Sequence, residues 1–360
     1  MIFDSPHVRA LVAKCADQPD FRVPQIVGLA RNKKLMAERE DLEALVGQVP
    51  EKKQRDWLGR LSSHNDDQHL GAWFEIKLFG WLKQVGDTVV EPSVEGDAPD
   101  FSVMLGDLRV MIEARACGES EAERERHRRE AEVIWTIRQI QMPYAVTIRK
   151  LQWGGKLDSS RCVSEVLSWL QHSPAAPLVY VDIGGTRIWL EAQHLPSLNQ
   201  VGVAGPVTSG WANPNVVKPA LREKASQHKR LRRSGHPYLL ALFLESWLLS
   251  AEEVAAAWFG NMQVLVDLES GQAVGERLDR SGIHFYHSEV RHRSVSGTLV
   301  FRKRWLGSPY PIELRAWYIE NPFALVAVDA SRLPVEGRFV VVGRDDDELS
   351  MTWQASVQTV

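Results

Sequence analysis

The stretch PDFSVMLGDLRVMIEAR, residues 99–115, decides how this chain is read. From Asp100 to Leu105 the residues alternate, with Phe101, Val103 and Leu105 on one face. From Leu108 to Arg115 they alternate again, Val110, Ile112 and Ala114 against Arg109, Met111, Glu113 and Arg115. A period of two marks half-buried strands. Gly106-Asp107 between them suits a two-residue turn, so the pair is expected to close as a hairpin. Side chains two apart on a strand share a face, which sets Glu113 beside Arg115. A hairpin also returns the tail of its second strand to the head of its first, so Asp100 and Glu113 converge. Two converging carboxylates are hard oxygen donors of the kind a magnesium ion prefers.

Upstream, Asn65 or Asp66 can cap a helix running to about Val85, with Leu70, Trp73, Phe74, Leu78, Trp81, Leu82 and Val85 as its apolar stripe and Gly86 as its stop. Glu75 lies at the margin of that stripe, and Asp87–Glu91 reads as a short strand. Residues 1–63 read as helices over 6–16, 32–46 and 51–61, punctuated by Pro19, Pro24 and Pro50. Downstream come a charged helix over 119–140, a strand over 144–148, a helix over 160–171, and a hairpin over 178–183 and 187–191. A Pro/Gly/Asn-rich stretch over 195–214 leads to a helix over 217–233 and a strongly apolar strand over 238–245. The remainder mixes a short helix over 251–259 with strands near 283–286, 296–302 and 339–342.

Pro99-Asp100 followed by Glu113-Ala114-Arg115, with Glu75 on the preceding helix, resembles the PD-(D/E)XK nuclease superfamily, in a bacterial branch with arginine in place of the motif lysine. Lys224-Ala225 through Pro237-Tyr238 to Phe243, Phe259-Gly260, Val295-Ser296-Gly297 and Asn321-Pro322 carry the resemblance onward. It implies an α/β fold: a restriction-endonuclease-like core with a mixed central sheet flanked by helices. That core spans 64–250, interrupted by an insertion at about 117–216, with a helical segment at 1–63 and an α+β extension at 251–360 packed on it. The resemblance further implies metal-dependent cleavage of nucleic acid, DNA first, by an endonuclease of bacterial defence or repair. Asp100 and Glu113 would bind Mg2+ or Mn2+ together with the Ala114 carbonyl, and Glu75 would serve a coordinated water or a second ion. Arginine keeps the charge of the missing lysine and a fork that fits phosphate, but it cannot be deprotonated. Lys224 is therefore the candidate for a relocated lysine, acting with Arg115 at the phosphate. The competing expectation is a nuclease-like module that has lost catalysis and binds nucleic acid or a protein partner, a homodimer included.

Gln227, Lys229, Arg230, Arg232 and Arg233, with Arg222 and His228, form the densest basic run, read either as a phosphate grip or as a solvated helix end favoured by the dipole. Arg124, Arg126, Arg128 and Arg129 alternate with glutamates, as on a salt-bridged exposed helix. Asp182-Ile183-Gly184-Gly185-Thr186 resembles a sugar-kinase phosphate loop but is more simply a hairpin turn. His284, His287, Arg291, His292 and Arg293 read as structural or surface residues. The net charge of -3 excludes a globally electrostatic nucleic-acid binder, and three scattered cysteines give neither a disulfide framework nor a zinc site. The thirteen tryptophans are scattered and read as core fillers. Without a signal-peptide layout or a membrane-length apolar run, the expected location is the cytoplasm, away from membranes.

Overall fold

A computed structural model describes residues 2–19, 22–119, 121–155, 157–205, 217–227, 235–246, 249–267, 270–286, 289–343 and 349–355. The chain divides into two compact units, one of Met1–Ala16, Pro24–Gly118 and Ala212–Val360, the other of Asp17–Val23 and Glu119–Trp211.

The first unit opens with helices α1 (Pro6–Lys14), α2 (Gln25–Arg31), α3 (Met36–Val46), α4 (Glu51–Leu61) and α5 (Asp66–Val85), then strands β1 (Thr88–Val90), β2 (Phe101–Leu105) and β3 (Leu108–Cys117). The second unit holds α6 (Glu121–Arg138), β4 (Tyr144–Gln152), α7 (Ser159–His172), β5 (Leu178–Val181), β6 (Arg187–His194) and β7 (Gly202–Ala204). The chain then returns to the first unit with α8 (Val217–Gln227), β8 (Tyr238–Leu244) and α9 (Ala251–Phe259). It continues with β9 (Met262–Val266), β10 (Ala273–Leu278), β11 (Phe285–Tyr286), β12 (Glu289–Val290), β13 (Gly297–Arg304), β14 (Glu313–Glu320), β15 (Gly337–Gly343) and β16 (Leu349–Ala355).

Strands β1, β2, β3, β8, β13, β14, β15 and β16 lie side by side in that order in one mixed sheet flanked by helices, so the fold is α/β. The β2–β3 pairing is antiparallel, and β3–β8 and β8–β13 are parallel. Tyr238–Leu244 is buried at every position, the signature of a central parallel strand covered on both faces. One face packs on α5, with Phe74 stacked on Phe243 at 5.4 Å and Trp81 edge-on to Phe301 at 5.1 Å. The other face packs on α8 and α9 through Met111, Leu240, Leu242, Leu221, Val254 and Trp258. Helix α5 starts where Asn65 accepts the N–H groups of Asp67 and Gln68, with two aspartates in its first turn complementing the dipole.

Sequence and structure differ at several elements. The helix α2 starts directly after Pro24, and the segment expected to be helical from residue 32 begins only at Met36, after a short 3-10 turn that Asn32 caps. The hairpin of β9 and β10 and the strands β7, β14 and β16 are additional to the sequence reading. In the second unit β5, β6, β4 and β7 form a four-stranded sheet over a core of Val133, Ile137, Val166, Tyr180 and Ile188. Among the described residues no helix is long and apolar enough to cross a membrane.

Candidate active site

The hairpin of β2 and β3 closes as Leu105 pairs with Leu108, with Gly106 at φ +63°, a conformation glycine adopts without strain. The register runs back to Phe101 opposite Ile112, so the next position sets Asp100 opposite Glu113. Directly opposed residues of an antiparallel pair share a face. Ala114 N–H donates to Asp100 Oδ2 at 2.8 Å, which fixes the aspartate against the end of the hairpin. Met111, Glu113 and Cys117 alternate onto the face covered by α8 and α9, where Glu113 is only 3% exposed.

Lys224 on α8 meets this carboxylate. Its Nζ donates to Glu113 Oε1 at 2.5 Å across 111 residues of sequence, and its side chain is 12% exposed. The helix is seated by Val217, Ala220, Leu221 and Ala225 in the core, and Tyr238 Oη donates to the Lys224 carbonyl oxygen at 3.1 Å. A buried lysine–carboxylate pair is held by geometry: either partner alone would be a costly isolated charge.

Burial first, and then the negative charges of Glu113 and Glu75, push the Asp100 carboxyl up to about 7, against the opposing pull of the Ala114 N–H and Lys224. Among the described residues Asp100 has no cation within ion-pair distance, while both neighbouring carboxylates do. Glu75 is gripped from α4: Arg60 donates to Oε1 at 2.8 Å and to Oε2 at 2.7 Å, and Trp57 Nε1 donates to Oε2 at 2.9 Å. Burial would raise the Glu75 carboxyl, but the hydrogen bonds and charge of Arg60, then Lys53 and Trp57, hold it below the ordinary carboxylate range. Lys53 lies 3.4 Å from Glu75 and 2.7 Å from Glu91, whose N–H donates to the Asp100 carbonyl. Arg60→Ala is expected to cost about 2–3 kcal/mol, less than a full buried pair because Lys53 remains. Chemical denaturation of the two proteins checks this.

Lys53, Trp57, Arg60, Tyr238 and Glu223 are the site neighbours that sequence reading missed. The first three were discoverable, since positions 53, 57 and 60 fall on one stripe of a helix. Arg115 projects outward instead of into the acid cluster, pairing with Glu223 at 3.5 Å where both side chains are about half exposed. Gln227 is exposed at the end of α8, and Lys229, Arg230, Arg232, Arg233 and His228 lie outside the described residues.

The other motifs resolve as structure. Val181 pairs with Arg187 around a turn in which Gly185 N–H donates to the Asp182 carbonyl, with Gly185 at φ +82°. Asp182 also accepts the Asp158 N–H at 2.7 Å, so the Asp182–Thr186 segment is a braced hairpin turn. Helix α6 carries the pairs Arg129–Glu125, Arg128–Glu125 and Arg126–Glu130. His284 is buried, stacked on Phe259, bonded through Nδ1 to the Arg291 carbonyl, and pushed down to about 4 chiefly by burial; His287 lies outside the described residues.

Among the described residues no three His, Cys, Asp or Glu side chains are grouped as a ready-made metal cage. A magnesium ion needs no such cage, because it is commonly held by one or two carboxylates while keeping several waters. Asp100 and Glu113 are two adjacent carboxylates, with Asp100 Oδ2 accepting from Ala114 N–H and Glu113 Oε1 from Lys224. No family model matches the chain, and no curated protein or solved structure matches it significantly.

Proposed function

We propose that the chain is a metal-dependent phosphodiesterase acting on nucleic acid, a DNA endonuclease of the PD-(D/E)XK type with a restriction-endonuclease-like core. The observation that carries this reading is the convergence of Lys224 on Glu113 beside Asp100, from an element far away in sequence. The order of α5, then β1, β2 and β3, then α8 and β8 supports it, being the helix, three strands, helix and strand of that superfamily. Bacterial defence or repair is the setting the resemblance suggests.

In this reading Asp100, Glu113 and the Ala114 carbonyl would hold Mg2+ or Mn2+. The bound ion supplies Lewis-acid polarisation of the phosphodiester. Lys224 places positive charge where the phosphorus gains negative charge, while its hydrogen bond orients Glu113. Glu75, held in place by Arg60, adds negative potential at Asp100 and serves as a positioning residue. Arg115, outside the cluster, clamps a flanking phosphate through its planar fork. Arg115→Ala is expected to reduce cleavage by about tenfold or less and stability by under about 1 kcal/mol, because an exposed pair contributes little. Initial rates and a urea midpoint check both.

A second reading, a module that binds nucleic acid or a protein partner without cleaving it, is favoured by one specific feature. Cations already occupy Glu75 and one oxygen of Glu113. Incubating the protein with linear, circular and single-stranded DNA, with and without manganese, separates the two. The nuclease reading expects manganese-dependent products; retained binding with no products in any arm upholds the binding module instead.

A further inference from the structure

The β13–β14 hairpin continues the central sheet from the side of β8. Strands β3, β8 and β13 are parallel, and the register Glu113–Leu240–Thr298 ties the acid site to β13. Beyond Thr298, β13 runs through Phe301, Arg302, Lys303 and Arg304 into a loop that presents Trp305, Leu306 and Tyr310, which are 54%, 42% and 60% exposed. Large aromatic side chains left in water on one loop are an informative exception to ordinary burial. The loop is held in place: Tyr310 N–H donates to the Gly307 carbonyl at 2.9 Å, and Ile312 N–H donates to Glu38 Oε2 at 2.7 Å. Glu38 is itself buried and bonded to Trp73 and Lys77, so the base of the loop is anchored in the core.

Beside these aromatics the register sets Arg304 opposite Glu313 and Arg302 opposite Arg315, so with Lys303 and Glu336 the cations outnumber the carboxylates at the base of the tip. Arg302 lies directly opposite Arg315 across the hairpin, and Arg304 follows on the same face. By alternation this is the face of Val300, which packs with Met111 and so belongs to the Glu113 side of the sheet. Like charges set directly opposite destabilise a strand pair in isolation. Arg315 is bound to Glu336 at 2.9 Å, which offsets part of that repulsion. Seven residues separate Thr298 from Trp305, placing the tip about 25 Å from the acid site, a span of roughly seven base pairs.

We infer that the Trp305–Tyr310 tip of the β13–β14 hairpin is a nucleic-acid contact that stacks on unpaired bases while Arg302 and Arg304 hold the adjoining phosphates. The inference rests on the nucleic-acid reading above and adds to it a preference for DNA with single-stranded or splayed segments. Stacking on an aromatic platform is tolerant of sequence, and arginines flanking it make the binding salt-dependent.

The test measures fluorescence anisotropy of a labelled single-stranded 20-mer, a blunt duplex and a forked duplex in EDTA, where binding is read without cleavage. Wild-type protein is expected to prefer the single-stranded and forked probes. W305A/Y310A should lose about tenfold or more on those two probes and little on the blunt duplex. W305F should retain most of the affinity, and R302A/R304A should weaken all three probes and flatten the salt dependence by about two charges. Equal affinity of wild type and W305A/Y310A for the forked probe overturns the inference. So does loss of binding by W305A/Y310A to anionic phospholipid vesicles with oligonucleotide binding unchanged, which would make the tip a membrane contact. Manganese-dependent cleavage by wild type with unchanged W305A/Y310A affinity removes the tip and leaves the nuclease. Tip-dependent affinity without cleavage does the reverse, and wild type binding none of the three probes removes both.

Discussion

Lys224→Ala is expected to lower metal-dependent cleavage by about 100- to 1,000-fold, the scale of removing one charge-stabilising group from an active centre. It is also expected to destabilise the fold by about 3–5 kcal/mol, because Glu113 would keep its charge in a buried place without its partner. The two effects separate with further variants. Lys224→Arg keeps the charge, and should recover much of the stability but only part of the rate, since a planar fork does not occupy the position of an ammonium. The double variant Glu113→Gln with Lys224→Met removes both charges together and should regain stability while staying inactive. If the double variant cleaved at the wild-type rate, the pair would be a structural bridge and nothing more. Denaturant midpoints and initial rates on the same preparations give both readings.

Asp100→Asn is expected to abolish metal-dependent cleavage and to make the protein more stable at neutral pH. The sign follows from the direction of the shift. In the folded chain the Asp100 carboxyl is pushed up to about 7 by burial and by Glu113 and Glu75. In the unfolded chain it titrates near 3.9, as an ordinary aspartate does (about 3.9). Between those values the folded protein holds a proton that the unfolded protein has released, so this group's contribution to stability falls as pH rises from about 4 to about 7. Asparagine does not carry that loss. The variant should therefore gain on the wild type through this window, by on the order of 2 kcal/mol above it. A bound cation competes with the same proton. Manganese affinity of the wild type should accordingly climb up to about tenfold per pH unit below 7 and level off above. Urea denaturation at pH 5 and pH 8, with calorimetric manganese titrations, measures both. A variant less stable than wild type at pH 8 would contradict the account.

The acid hairpin was legible because its signals are local. Alternation placed Glu113 on the face opposite Val110 and Ile112, and Gly106-Asp107 marked the turn that brings Asp100 across from it. Lys224 was legible as a lysine on a helix following a long insertion, but the contact itself depends on how α8 lies across β3, which no periodicity encodes. The clamp on Glu75 was missed for a related reason. Trp57 and Arg60 belong to α4, and although Lys53, Trp57 and Arg60 share one stripe, its spacing does not encode that the stripe faces Glu75 of α5. Arg115 was expected to act within the cluster; sharing a face with Glu113 did not decide that, because its long side chain pairs at the surface with Glu223 of α8. Strand β14 escaped notice because Glu313, Arg315 and Glu320 break its alternation, although Ala316 and Tyr318 are buried on one face and Ile319 on the other. Strand β8 pairs with β3 across the whole second unit in sequence, and β13 pairs with β8, so no local pattern marks either neighbour.

The central claim is that Asp100, Glu113 and Lys224 form one metal-dependent hydrolytic centre, and cleavage of supercoiled plasmid in manganese tests it most directly. Wild type, Asp100→Asn and Lys224→Ala are compared at equal folded concentration, established for each by circular dichroism and denaturant titration. The account predicts nicked and linear products from wild type that disappear on chelation, none from Asp100→Asn, and a rate lower by at least about 100-fold from Lys224→Ala. Cleavage by Asp100→Asn at the wild-type rate, or no product from any of the three, would contradict it.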